Sequence, residues 1–253
     1  IIPPHVIQNA LATFKENPAV QVVGGPNLTP PENNYIQHCF GFAHASAFIG
    51  MQTAARYRAV KKNIKKVTEK HLISCNLAFR SKILKANLFD PNIFPNEENE
   101  LITRINAKGN LLAYNPHFFI YHHRRKNIRA YIKQIFNWGQ GRTLHSIKKP
   151  QNFDPLFFVP LIFLFYLLSL VWIRNPGYLL PLYLYILLDI LFAIEAGFTS
   201  KKLSVITIMI VLFPLTHIIY GLGLLSGIFS FLKNETKSLP LEKDFLLIKI
   251  DIP

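Results

Sequence analysis

Long apolar runs in the last hundred residues constrain this chain more than any other feature. Residues 155–173 carry no charge, residues 178–194 carry one acid, Asp189, and residues 203–232 carry none. Spanning a bilayer as a helix takes about 20 mostly apolar residues, because lipid offers the backbone no hydrogen-bond partners. The runs therefore predict an all-α transmembrane segment of about three helices within residues 151–232.

The net positive charge lies on the rest of the chain. Residues 1–153 hold 21 Lys and Arg against seven acids, whereas residues 154–253 hold seven of each. Cytoplasmic segments of membrane proteins carry the excess of basic residues, so we expect residues 1–153 in the cytoplasm. The last apolar run is either one tilted helix or a span that continues along the interface. If it crosses once, the tail, residues 233–253, lies outside.

The composition excludes several classes of protein. Two cysteines and 12 glycines among 253 residues rule out a disulfide scaffold and a collagen. The basic stretches lack the stacking aromatics and fold signature of a nucleic-acid-binding module, so the charge is predicted to face anionic membrane lipid. Cys39 and Cys75 occur in no paired motif and are interpreted as reduced thiols. His122 and His123 have no ligand partner at metal-binding spacing.

Residues 1–125 alternate helical and strand patterns, which is typical of an α/β domain. Pro3 and Pro4 stand at the start of the first helix, where proline is tolerated, and Gly24-Gly25-Pro26 ends the first strand. The predicted helices are 3–17, 35–57, 80–86 and 97–108, and the predicted strands are 20–23, 72–77, 111–114 and 118–122.

Residues 126–150 form an amphipathic helix followed by a basic linker. The apolar stripe recurs at helical spacing, through Ile128, Tyr131, Ile132, Ile135 and Phe136. Two interpretations stay open. The helix rests on anionic lipid at the membrane interface, or it packs into the core of the basic domain with a solvated basic side.

Two clusters in the basic part could carry chemistry. Glu97, Glu98 and Glu100 open a predicted helix, where carboxylates complement the helix dipole. One of them could instead serve as a general base in a cleft. The run Gly139-Gln140-Gly141-Arg142 either binds a phosphate through Arg142 and the backbone or simply ends the preceding helix.

Two polar residues interrupt the apolar runs. Asp189 is a functional candidate, because ionisable groups inside membranes usually have a role, or it lies near the cytoplasmic end and reaches water. His217 either contacts a lipid headgroup or the cytoplasmic domain, or it packs between helices. Sequence spacing leaves these alternatives open.

Several motifs follow one another along the chain. In order they are Val22-Val23-Gly24-Gly25-Pro26-Asn27, Ser74-Cys75-Asn76-Leu77-Ala78-Phe79-Arg80, Phe89-Asp90, Glu97-Glu98-Asn99-Glu100-Leu101-x-x-Arg104, then Gly109, Pro116 and His122, Gln134-x-x-Asn137-Trp138, Gly139-Gln140-Gly141-Arg142 and His217-x-x-Tyr220-Gly221-x-Gly223.

In this order, from about Pro3 to Lys149, the motifs resemble the second half of the catalytic domain of family-2, membrane-bound glycosyltransferases of the GT-A fold. The resemblance implies an α/β, partial GT-A-like domain without its N-terminal nucleotide-binding half. It implies inverting transfer of a sugar from a nucleotide-sugar to a lipid-linked or cell-envelope polysaccharide acceptor. The place would be the cytoplasmic face of a bacterial inner membrane.

The resemblance also implies roles for individual residues. Glu98, with Glu97 beside it, takes the place of the general base. Binding of the acceptor or of the diphosphate falls to Asn76, Arg80, Arg104, Gln134, Asn137, Trp138 and Arg142.

The chain departs from the family's pattern by two substitutions and by the lack of one motif. Glu98 stands where the family has Asp, and Asn137 stands where Q-x-x-R-W has Arg. The family's Asp-x-Asp, which holds a divalent metal, Mg²⁺ or Mn²⁺, does not occur here. We therefore expect the metal site and the nucleotide-binding half upstream, and this chain to be an N-terminally truncated fragment that is inactive alone.

Two other interpretations remain. The chain is a catalytically inactive, membrane-anchored scaffold or interaction subunit related to glycosyltransferases, which the two substitutions favour. Alternatively it is part of a small transporter, although a single intramembrane acid offers little of an ion pathway.

Overall fold

The computed structural model describes residues 1–60, 67–90, 97–150, 153–173 and 175–233. The fold is mixed α/β and mostly helical, so the predicted class is confirmed at that level. The predicted tail beyond Lys233 lies outside the described residues. The α-helices are α1 Val6–Glu16, α2 Tyr35–Ala45, α3 Ala47–Gly50, α4 Ser81–Ala86, α5 Glu97–Ala107, α6 Ile128–Lys148, α7 Val159–Ser169, α8 Leu180–Ser200 and α9 Leu203–Leu232. The strands are β1 Val20–Gly24, β2 Asn27–Leu28, β3 Leu77–Phe79, β4 Leu111–Tyr114 and β5 Ile120–Tyr121.

A small mixed sheet forms the centre of the α/β part. Strand β1 lies between β3, which runs antiparallel to it, and β4, which runs parallel. Val22 and Val23 of β1 are fully buried on opposite faces. Val22 packs with α5 and Val23 packs in the cluster that holds α1. Burial on both faces explains why two neighbouring residues of β1, Val22 and Val23, are both apolar and β-branched instead of alternating with polar residues.

The predicted single helix over residues 35–57 is wrong. Helix α2 ends at Ala45, where Ser46 adopts an extended backbone and its hydroxyl accepts a hydrogen bond from the Phe48 amide at 3.2 Å. A short hydroxyl side chain that caps a new helix start competes with continuation of the old one. Met51 then takes a φ of +46° before a 3-10 turn, Met51–Arg56. The break directs the chain around the cavity described below.

Helix α6 is longer than predicted. The alternative that Gly139 ends it is wrong, since the helix continues to Lys148. The glycines let α6 and α9 pack closely. A Cβ on Gly139 would lie 2.3 Å from the Tyr220 carbonyl oxygen of α9, which is too close. Reciprocally, a Cβ on Gly223 would lie 2.2 Å from the Phe136 carbonyl oxygen. Backbone therefore meets backbone between α6 and α9, as in helix pairs with small residues at the interface.

The apolar stripe of α6 faces the protein core. Tyr131 and Ile135 are almost completely buried, and the Tyr131 ring stacks on Phe40 of α2 with centroids 4.3 Å apart. The Tyr131 hydroxyl shares a 2.8 Å hydrogen bond with Thr216 of α9. The helix thus packs into the core, and this packing is compatible with a place at the membrane interface.

Two helices are long and apolar enough to cross a membrane. They comprise Pro176–Ser200, which is α8 with the 3-10 turn before it, and α9, Leu203–Leu232, which is one continuous helix. The first apolar run gives only a shorter helical stretch, Pro155–Ser169. At 1.5 Å per residue its 15 residues reach about 22 Å, short of a hydrocarbon core of about 30 Å. Of the three predicted spans, the structure thus provides two of sufficient length.

Candidate functional site

A cavity of about 360 Å³ lies between the α/β part and the apolar helices. One wall comes from the 3-10 turn Met51–Arg56, residues 73–75 and the start of α5. The opposite wall comes from α6, residues 156–160 and α9. The break after α2 and the close α6–α9 contact together leave this space open. Segments that are distant in sequence therefore line the same cavity.

Four of the residues predicted to act in catalysis or binding line this cavity: Glu98, Gln134, Trp138 and Arg142. Glu98 sits in the first turn of α5, and the other three project from one face of α6 at spacings of four residues. The Trp138 ring packs against the imidazole of His44, with centroids 5.1 Å apart. The fold thus places side chains of α5 and α6 around one cavity, although the two helices are separated in the sequence.

Two other predicted binding residues serve the fold. Asn76 is buried, and its amide nitrogen donates hydrogen bonds to the carbonyl oxygens of Pro26, at 3.2 Å, and Phe118, at 2.6 Å. Arg80 donates to the carbonyl oxygens of Val20 and Phe14, at 2.8 and 2.9 Å. Asn76 thereby ties the β2–β5 region together, and Arg80 ties α1 to β1. Neither lines the cavity.

The remaining predicted residues also lie elsewhere. Arg104 donates to both carboxylate oxygens of Glu100, at 2.9 and 3.0 Å, and to the Leu88 carbonyl oxygen at 2.7 Å. Asn137 is exposed on α6, and neither it nor the half-buried Glu97 lines the cavity. The role predicted for each of them therefore has no support from its position.

Two of the cavity's buried cations were not predicted from the sequence. Arg56, buried at the end of the 3-10 turn, donates to the Lys70 carbonyl oxygen at 2.9 Å, to the Glu69 carbonyl oxygen and to the Asn99 Oδ1 at 2.6 Å. No motif marks Arg56, since it reaches the site only because the helix breaks at Ser46. Its burial lowers the pKa of its guanidinium, which still stays charged at any physiological pH.

Arg124 is the second missed cation. Its guanidinium donates to the Thr29 hydroxyl at 3.0 Å, and to the side-chain and main-chain oxygens of Asn27 at 3.2 and 2.6 Å. It also lies 5.2 Å from the centre of the Tyr57 ring. The sequence signal was available, because Arg124 belongs to the stretch from Leu101 to Phe153 that contains no acid.

The buried side-chain amide of Asn99 contacts the carboxylate of Glu98. The Asn99 Nδ2 donates to the Glu98 Oε1 at 3.3 Å, while the Asn99 Oδ1 accepts from Arg56. Asn99 is almost completely buried, so its amide is held between the cation and the carboxylate. Glu98 forms no ion pair within 4 Å with any cation in the described ranges. Its carboxylate is therefore free to accept a proton from a bound molecule.

Positive charge dominates the cavity. Its described lining holds five cationic side chains, Arg56, Lys70, Arg124, Arg125 and Arg142, against two carboxylates. One of these carboxylates, Asp154, is already neutralised by an ion pair with Lys70. The surplus gives the cavity a positive potential, which low-dielectric walls strengthen.

Two aromatic groups in the wall stay neutral. Burial, reinforced by the positive charges of Arg124, Arg125 and His122, lowers the pKa of His44 to about 3. Desolvation raises the pKa of the Tyr57 hydroxyl to about 12. His44 therefore cannot act as a cationic acid near neutral pH, and Glu98 is among the other cavity residues that could act as an acid or a base.

The described residues provide no group of three or more His, Cys, Asp or Glu side chains that could hold a metal ion. The described part of the chain therefore does not fit a Mg²⁺ or Mn²⁺ site. No protein-family model matches the chain, and no curated protein matches it.

Proposed function

We propose that this chain is the acceptor-side part and membrane anchor of an inverting glycosyltransferase similar to family 2. One observation carries the proposal. Glu98, Gln134, Trp138 and Arg142, which motif order alone assigned to one site, line a single cavity. The cavity also has the surplus positive charge that a diphosphate leaving group requires.

The proposed step uses Glu98 as the general base. An acceptor hydroxyl hydrogen-bonds to the carboxylate, and its oxygen attacks the anomeric carbon of the nucleotide-sugar. As the new carbon–oxygen bond forms, the proton passes to Glu98. The bond from the anomeric carbon to the diphosphate breaks, and the diphosphate leaves with the electron pair. Attack from the face opposite the leaving group inverts the configuration.

Cationic and aromatic side chains support this step. Arg142 lies 3.9 Å from the centre of the Phe157 ring and faces the cavity. Its fixed charge would stabilise negative charge that develops on the diphosphate. Trp138 offers a flat apolar surface of the kind on which sugar rings pack, and Gln134 offers an amide for hydroxyl groups. Donor sugar, nucleotide-sugar and acceptor are assigned here by chemical class only.

Membrane insertion of α8 and α9 belongs to the same proposal. Leu184 and Leu187 of α8 are more than half exposed, and α7 exposes Ile162 and Phe165 similarly. Contiguous apolar surface of this extent favours lipid over water. We propose the cytoplasmic membrane of a bacterium, with the basic part resting on its anionic inner face.

Contacts at the α8–α9 turn support that orientation. The Tyr35 hydroxyl donates to Ser204 at 2.7 Å, and Arg58 pairs with Glu195 at 3.6 Å. Lys201 and Lys202 in this turn therefore lie on the same side as the basic α/β part. The positive-inside tendency requires this arrangement if both are cytoplasmic.

The nucleotide-binding half and its Mg²⁺ or Mn²⁺ are proposed for the complete enzyme, outside these residues. A scaffold without catalysis is the second candidate. The exposed position of Asn137, away from the cavity, favours it, because the corresponding residue of the family's motif belongs to the site. Catalysis separates the two candidates.

The test is the Glu98→Gln variant of the complete protein, in membranes supplied with a panel of radiolabelled nucleotide-sugars. Loss of a general base costs about 10²- to 10⁴-fold in rate. The matched control is Glu16→Gln, an exposed carboxylate on α1, which should transfer at the original rate. An unchanged rate for Glu98→Gln overturns the assignment of the base. Absence of transfer by the unmodified protein with every donor supports the scaffold.

A further inference from the structure

Three buried guanidinium groups surround the cavity, and none of them forms an ion pair with a carboxylate among the described residues. The exposed fractions are 8% for Arg56, 7% for Arg124 and 8% for Arg142. All three line the cavity. Within the described ranges, none of them has a carboxylate oxygen within 4 Å. Such a concentration of buried, unpaired charge calls for a compensating ligand.

The existing partners of these groups are neutral. Arg56 and Arg124 bond to carbonyl, amide and hydroxyl oxygens, and Arg142 stacks on Phe157. Neutral acceptors satisfy N–H groups but leave the net charge uncompensated in a low-dielectric wall, and buried charge is costly unless it is paired. Glu98 supplies one negative charge for three cations. An anion of more than one charge would complete the balance.

The geometry favours a phosphate among anions. Guanidinium groups present N–H donors in a planar fork that matches the oxygens of a phosphate. A terminal phosphate monoester carries up to two negative charges and three acceptor oxygens. The volume of about 360 Å³ is that of a small-molecule site. It has room for a phosphate and one attached group.

The second wall indicates how the phosphate arrives. Leu156, Phe157 and Pro160 lead into α7, and Thr216 and Tyr220 belong to α9. These are the elements that the proposed function places at the membrane. A lipid could therefore keep its hydrocarbon chain along the apolar helices while its headgroup reaches the cations.

We propose that the cavity binds the terminal phosphate of a phosphate-monoester lipid between Arg56, Arg124 and Arg142. As a binding site the inference rests on charge and burial alone. Only the identification of this lipid as the sugar acceptor, or its carrier, rests on the proposed function. In that role the arginines would anchor the phosphate in the cavity that Glu98 also lines.

The experiment titrates the full chain, purified in detergent, with short-chain phosphatidic acid, which bears a phosphate monoester. Phosphatidylglycerol of the same chain length, a diester with one charge, is the lipid control, and inorganic pyrophosphate is the soluble arm. Arg142→Gln is the test variant, because the ring contact is a milder loss than the hydrogen bonds of Arg56 and Arg124. Arg129→Gln, exposed on the same helix, is the matched control.

We expect phosphatidic acid to bind at least about tenfold tighter than phosphatidylglycerol. Arg142→Gln should weaken its binding about tenfold or more, the effect of one charge-assisted contact, and Arg129→Gln should change it less than about twofold. Tighter binding of pyrophosphate than of phosphatidic acid would overturn the lipid and assign the site to a soluble diphosphate. Equal effects of the two arginine variants, or binding of neither ligand, would overturn the site.

Glu98→Gln separates this inference from the proposed function. Because it removes a negative charge from the cavity, it should bind phosphatidic acid as tightly as the original chain, or tighter. The same variant of the complete protein should lose transfer. Lipid binding without transfer by the original protein or any variant would contradict the glycosyltransferase and support the phosphate site. Transfer without lipid binding would contradict the phosphate site and support the glycosyltransferase.

Discussion

Helices α8 and α9 have similar apolar compositions but different surroundings. In the most apolar stretch of α8 only 11% of the residues are buried, against 33% in α9. Helix α9 packs on α6, α7 and α8 and forms part of the cavity wall. Helix α8 packs on α9, contacts α2, α3 and the Phe163 ring of α7, and exposes apolar side chains on the rest of its surface. Length and hydropathy thus identify candidate spans, whereas tertiary packing decides which span contacts the site.

Truncation of a buried side chain should show this contrast most strongly. Phe213 of α9 is fully buried, whereas the Leu187 side chain of α8 is 52% exposed. Phe213→Ala should lower the free energy of unfolding by about 3–5 kcal/mol, since a large cavity is left in a packed core. Leu187→Ala should change it by less than about 0.5 kcal/mol. Thermal unfolding in detergent measures both, and similar losses would contradict the assignment of α8 to the periphery.

The α6–α9 contact should respond to a single methyl group. Gly223→Ala places a Cβ 2.2 Å from the Phe136 carbonyl oxygen, where backbone would have to move. Overpacking of this kind costs about 1–3 kcal/mol. The control is Gly177→Ala, whose Cβ would meet only the Asn175 side chain, at 3.3 Å. If both variants unfold at the original temperature, the two helices do not meet through their backbones.

Acid should weaken the packing between α2 and α6. His44 of α2 packs against Tyr131 and Trp138 of α6, and its folded pKa is lowered to about 3 from 6.5. The unfolded chain therefore takes up a proton that the folded chain refuses, so stability falls as pH drops below about 6.5 and continues to fall toward 3. The unfolding temperature should fall between pH 7 and pH 5.

His44→Phe keeps the ring packing and should make that decline shallower. Some slope should remain, because burial also lowers the pKa of His71 and His145. An identical pH dependence in the variant would show that His44 protonates as readily in the folded chain as in the unfolded one.

The smallest effect should come from Asp189, where α8 meets α9. Asp189 is buried, and its Oδ1 has no hydrogen-bond partner among the described residues. Its burial disfavours the alternative that the side chain reaches water. Asp189→Leu removes an unsatisfied polar atom and should raise the free energy of unfolding by about 1 kcal/mol. A folded Asp189→Leu protein that has lost transfer would instead make Asp189 a functional residue.

The sequence predicted elements better where one local rule decided the outcome. Strand β1, helix α5 and the continuous α9 follow from β-branched residues, an acidic first turn and a long apolar run. The helix break at Ser46 was missed because alanine-rich residues on both sides favour a helix. The passage of α6 through Gly139 was missed because that glycine is explained by a partner helix distant in sequence.

The candidate site divides in the same way. Motif order predicted Glu98 and three residues of α6 that line the cavity, whereas Asn76, Arg80 and Arg104, predicted alongside them, bond to the fold itself. The side chain of a motif residue can serve the framework as well as the ligand, and spacing does not separate the two. Arg56 and Arg124 reach the cavity through tertiary structure, so only the scarcity of acids in the chain pointed toward them.

The most direct test of the account compares transfer rates of the complete protein carrying Glu, Asp or Gln at position 98. If the Glu98 carboxylate is the base, Glu98→Asp should retain measurable transfer, because it restores the carboxylate found in the family. Glu98→Gln should lose about 10²-fold or more. Equal rates for Glu98→Asp and Glu98→Gln, both near that of the original protein, would contradict the claim that transfer takes place in this cavity.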